Sequence, residues 1–121
     1  MRVFFGRMFL LLALASTTTG CRHEVSPNGF AQLKQDYLDG LFQAKPHLAT
    51  FMGDHRFEDH LADFSAEALK NRETKLEEQK GRLNHLDKSR FSLDEQVDAE
   101  ILAGAIDLEL LYLREIREWE W

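Results

Sequence analysis

From Leu93 onward the chain reads as one helix with apolar residues on most of its circumference, and this segment constrains the fold most. With Ile101 as the reference and about 100° of turn per residue, Ala105, Leu108, Tyr112, Ile116 and Trp119 lie within about 60° of it. Leu102, Ile106 and Leu113 form a second apolar face near about 120°, and Leu110 and Leu111 widen the coverage. A clean polar strip is left only at Glu100, Asp107, Arg114 and Glu118. A helix of this kind needs cover on more than one side. No glycine or proline cap follows it, so the helix is expected to run on to Trp121. Two readings satisfy it. Residues 30–121 are the N-terminal helical segment of a larger domain, or the chain is a small helical protein that dimerises through this helix.

The preceding helices are narrower. Phe30, Leu33, Tyr37, Leu41 and Ala44 share one face of a segment from about Phe30 to Ala44, opposite Gln32, Gln35, Asp36, Asp39 and Gln43. Gly40 within it costs about 1 kcal/mol relative to alanine. Pro46 disfavours helical geometry at Lys45 and opens a short turn to Met52, with Gly53 placed to close it. Residues 54–64 show no clean period and read as a loop with aromatic plugs. Ser65 is a good N-cap for a helix from Ala66 to Leu86, whose stripe is Leu69, Leu76, Leu83 and Leu86. The rest of that helix is charged, including Glu78 and Arg82 at i,i+4 spacing, so it is expected on the surface. Asp87 to Arg90 form a polar turn, and Ser92-Leu-Asp-Glu95 is a capping box opening the last helix. The fold class is therefore all-α, with three main helices.

The N-terminus is of another kind. Residues 1–20 carry Arg2 and Arg7, no acidic group and the apolar run Met8 to Ala15. That run is too short for a bilayer-spanning helix, which needs roughly 20 residues, and fits the apolar core of a signal peptide. Thr18-Thr-Gly-Cys21 resembles a bacterial lipobox, with Thr18 where leucine is usual, and makes Cys21 the expected lipid attachment site. Acyl chains there would add roughly 0.8 kcal/mol of membrane affinity per buried CH2. Residues 21–29 are polar and turn-rich, as a tether would be. Cleavage after Ala13-Leu-Ala15 and an uncleaved anchor are the other readings. One cysteine makes no internal disulfide, so the fold must stand on packing. The expected location is the bacterial cell envelope, lipid-anchored, facing the periplasm or the outside.

Beyond residue 20 the chain has 13 basic and 21 acidic side chains, a net charge of −8, which argues against a nucleic-acid partner. Candidate chemistry is thin. Asp54, His55, Glu58, Asp59 and His60 are potential metal ligands, but two histidines five apart in a loop have nothing to fix their convergence, so a solvated loop is the reading. His23-Glu24 opens like a zincin motif, yet Pro27 stands where its second histidine belongs. Glu77, Glu78, Asp94, Glu95 and Asp98 read as solvated faces and first-turn charges rather than paired acid–base carboxylates. There is no GxSxG, P-loop or GxGxxG. No catalytic and no metal-binding residue is assigned to this chain.

Three stretches carry a family resemblance. Pro46 to Gly53, continuing through Asp54 to Ser65, is similar to the N-terminal pattern of the bacterial domain-of-unknown-function family 885. Phe91 to Leu102 resembles that family's entry into a long helix, and Arg117-Glu-Trp-Glu-Trp121 the point where members continue into an Asn/Asp-Pro segment. The resemblance covers residues 30–121. It implies a lipoprotein related to all-helical zinc metallopeptidases, with an HExxH helix far downstream and zinc only in a full-length relative. This chain would then be a non-catalytic segment that tethers, shapes one wall of the body and limits access to a cleft. Its partners are the membrane, through Cys21, and the rest of its own chain. The alternative is a small envelope lipoprotein acting as a helical binding or structural module, self-associating through the last helix.

Overall fold

The computed structural model describes residues 29–120. Residues 1–28, on which the expected signal peptide, Cys21, His23-Glu24 and most of the expected tether fall, lie outside the described residues. The rest is all-α: α1 (Phe30–Ala44), α2 (Pro46–Phe51), α3 (Ala66–His85) and α4 (Leu93–Leu111), with 3-10 turns at His55–Phe57, Lys88–Arg90 and Glu118–Glu120. No strand occurs among the described residues.

Local chemistry places the boundaries. Pro46 stands in the first turn of α2, and Gly53 just beyond it takes a positive φ of 86°. The Ser65 hydroxyl accepts from the Ala68 amide at 3.2 Å and so caps α3. At α4 the Ser92 hydroxyl accepts from the Glu95 amide at 3.2 Å while the Glu95 carboxylate accepts from the Ser92 amide at 2.9 Å. Each such cap contributes about 1 kcal/mol by satisfying amides that have no partner within the helix.

The long helices pack as an up-down-up trio. Arg82 of α3 meets Asp36 of α1, and Arg72, earlier in α3, meets Gly40, later in α1, so those helices run antiparallel. Arg72 meets Glu109 and Lys80 meets Asp107, which makes α3 and α4 antiparallel too. The core joins Phe30, Leu33 and Tyr37 of α1, Leu76 and Leu83 of α3, and Ala99, Leu102, Ile106 and Leu110 of α4. Phe91, in the turn before α4, stacks on Phe30 with ring centroids 4.9 Å apart, pinning the start of α4 to the start of α1. Each fully buried large side chain contributes roughly 1.5–3 kcal/mol.

Two expectations change. The charged helix α3 is not peripheral: it packs against both α1 and α4, because its buried line includes Arg72 and Gln79 as well as Leu76 and Leu83. The last helix does not run to Trp121. Its α-helical part ends at Leu111, Tyr112–Ile116 wind as a π-helical turn, and Arg117 enters the left-handed region at φ 52°. The Arg117 amide donates to the Tyr112 carbonyl at 2.9 Å, closing the wider ring and ending the helix without a glycine.

Of the two apolar faces of α4, the trio covers one. Leu102, Ile106 and Leu110 are buried, whereas Ile101 is 64% exposed, Leu108 53% and Val97 50%. Among the described residues no helix is long and apolar enough to cross a membrane.

Candidate functional site

The polar chemistry of the trio concentrates where the C-terminal half of α1, the first half of α3 and the last turns of α4 come together. Arg72 projects from the buried line of α3, between Leu69 and Leu76. Its Nε donates to Glu109 Oε2 at 3.2 Å, and its Nη2 donates to Oε1 and Oε2 at 2.8 and 2.9 Å. The Tyr37 hydroxyl of α1 donates to Glu109 Oε1 at 2.7 Å, and the Arg72 guanidinium lies 5.6 Å from the centre of the Tyr37 ring. One carboxylate thus ties all three helices. Burial, followed by the bond to Glu109, raises the Tyr37 pKa well above the usual phenol range, so the phenol stays a donor.

Gly40 makes room for this arrangement. A Cβ there would stand 2.6 Å from Arg72 Nη1. That Nη1 and Gln79 Oε1 are buried without a hydrogen-bond partner among the described residues. Unmet polar atoms of this kind, here one donor and one acceptor, are rare in folded proteins and call for a reason.

Gly40, Arg72 and Glu109 also line a cleft of about 750 Å3. Its polar lining includes Lys45, Lys75, Asp63 and His47, and its apolar lining Leu69, Leu113 and Trp119. Asp63 accepts from the Ser65 amide at 2.8 Å, which holds its carboxyl below the usual range. Glu109 receives donors from both Arg72 and Tyr37, so both of its oxygens are engaged. The arrangement suits binding and bracing.

The histidine-rich loop does not assemble. Asp54 is taken by Arg56, whose Nη2 reaches it at 2.6 Å and also reaches Asp39 of α1 at 2.7 Å. His55 pairs with Glu58 at 2.6 Å and His60 with Asp59 at 2.5 Å, each pair exposed. No group of three or more His, Cys, Asp or Glu side chains able to hold a metal occurs among the described residues. The acidic residues of the long helices go to separate tasks: Asp98 pairs with Lys34 at 2.7 Å, Glu77 with Arg114, and Glu95 caps α4.

Arg72 and Glu109 escape a reading built on leucines and motifs. The signal was present in α3, where Leu69, Arg72, Leu76, Gln79 and Leu83 recur at alternating steps of three and four. Two polar residues in a core register mark a buried network. No family model, no curated protein and no solved structure matches the chain.

Proposed function

We propose that residues 30–121 are the non-catalytic helical segment of an exported protein that is lipid-anchored through Cys21 and resembles the helical zinc metallopeptidases. In that role α1–α4 form one wall of the body. The outer face of α4 docks further structure, and the chemistry and its zinc belong to a full-length relative. The observation that carries this reading is the exposed line of Val97, Ile101, Leu108 and Leu111 on α4, an apolar strip set beside a complete three-helix core. Contiguous apolar strips of this kind mark interaction surfaces.

The anchor is tested by fractionating cells that express the protein and its Cys21→Ala variant. The wild type should sediment with membranes and the variant should be released; identical fractionation removes the lipid from the reading. The peptidase relationship is tested by reading the coding DNA beyond Trp121. A continuing frame with an HExxH helix supports it, and a stop codon directs attention to the second reading.

That second reading is a self-associating envelope module. What favours it is spacing: Val97, Ile101, Gly104, Leu108 and Leu111 follow the four-three alternation of a coiled-coil seam, with Gly104 allowing close approach. Sedimentation equilibrium distinguishes the two. A dimer dissociated by Ile101→Glu supports the module, and a monomer at all concentrations rules it out.

A further inference from the structure

We propose that the cleft between α1, α3 and α4 binds a small organic monocarboxylate with an apolar, ring-sized body, its anion held by Lys45 and Lys75, which share the cleft lining with Arg72. The inference is independent of the lipid anchor and of any peptidase kinship. It begins with the cations. Lys34, Lys70 and Lys80 each sit in an ion pair, with Asp98, Glu73 and Asp107. In a chain with this excess of acid, Lys45 and Lys75 nonetheless have no carboxylate in reach among the described residues, and both line the same cleft. Arg72 lines the same cleft, and its Nη1 is a buried donor with no acceptor among the described residues.

The cleft's acids do not cancel this field. Glu109 is consumed by Arg72 and Tyr37, and Asp63 is turned to the Ser65 amide. With Lys45, Lys75 and Arg72 set against Glu109 and Asp63, a single positive charge remains. That balance suits one carboxylate and disfavours a dianion such as phosphate. The apolar lining, with Leu69, Leu113, Trp119 and the exposed Phe64, offers a surface to the rest of the ligand. About 750 Å3 lies in the range of small-molecule sites.

The test is calorimetric titration of the full chain in non-ionic detergent with 3-phenylpropionate, 3-phenylpropanamide and inorganic phosphate. Saturable binding of the acid is expected, with the neutral amide about ten-fold weaker and phosphate weaker still. Lys45→Gln and Lys75→Gln should each weaken the acid roughly three-fold, with an unchanged helical circular dichroism spectrum. Lys88→Gln, which removes a lysine outside the cleft, should have no effect. Absence of saturable binding, equal affinity for acid and amide, phosphate binding as tightly as the acid, or cleft variants that behave like Lys88→Gln would each overturn the proposal.

Discussion

Arg72 and Glu109 join α3 to α4 face to face, through one bond from Nε and two from Nη2, with side chains 8% and 13% exposed. Because the pair is nearly dry, its two halves have unequal consequences when removed singly or together. Glu109→Ala leaves a buried guanidinium with no counter-charge and a Tyr37 hydroxyl with no acceptor. It should cost about 3–5 kcal/mol of stability. Replacing both partners by apolar side chains, as Arg72→Met with Glu109→Leu, should recover most of that loss, since neither charge then has to be desolvated. Urea unfolding followed by far-ultraviolet circular dichroism measures both. A single variant within about 1 kcal/mol of wild type would show that the pair is solvated in solution.

Gly40 is bound to the same pair. In an ordinary helix interior, Gly→Ala gains about 1 kcal/mol. Here the added methyl would meet Arg72 Nη1 at 2.6 Å, and the guanidinium cannot swing away without surrendering Glu109. Gly40→Ala should therefore destabilise the wild-type chain by about 1–3 kcal/mol, the usual penalty for overpacking. In the Arg72→Met/Glu109→Leu background the obstacle is a shorter, freely turning side chain, and the sign should reverse to a gain of about 1 kcal/mol. Equal effects in the two backgrounds would mean that Gly40 answers to something other than Arg72.

This coupling also explains how far the sequence could be read. Periodicity located α1, α3 and α4, and Ser65, Ser92 and Pro46 marked where helices start, because those signals are local. The Ser92–Glu95 box needs only four residues to be recognised. The Arg72–Glu109 pair spans 37 residues, and both partners look like ordinary surface charges until the register of one helix against another is known. The same holds for α4, whose two apolar faces are equivalent in sequence; only packing against α1 and α3 decides that Ile106 goes inside and Ile101 outside. The end of α4 was illegible for a different reason. The π-helical turn and left-handed Arg117 replace the glycine or proline that usually announces a stop.

The loop pair His55–Glu58 has a pH dependence that can be signed. The hydrogen bond to Glu58, helped by its charge and that of Asp54, raises the His55 pKa above its ordinary 6.5. The contact's contribution is therefore complete below that ordinary value and is lost as pH rises through the raised folded-state value. Titration of the ring protons by nuclear magnetic resonance should place His55 above the value in a denatured reference, and Glu58→Gln should bring it back down. An unchanged midpoint in Glu58→Gln would show that the exposed pair does not persist in water.

The two isoleucines of α4 give the most direct check on the orientation of that helix. Ile106 is fully buried among Leu102, Leu110 and the α1 and α3 core, whereas Ile101, five residues earlier, is 64% exposed. Ile106→Ala removes methyl groups from a close-packed interior and leaves a cavity, so it should cost about 2–5 kcal/mol. Ile101→Ala removes similar groups from a surface already in water, so in the monomer it should change stability by no more than about 0.5 kcal/mol. The comparison must be made over a range of protein concentration. If a second copy covers the Ile101 face, the cost of Ile101→Ala will grow with concentration as mass action draws the dimer into the folding equilibrium. A small, concentration-independent effect at Ile101 beside a large one at Ile106 fixes the helix as described, and a reversal of the two would mean that α4 presents its other face to α1 and α3.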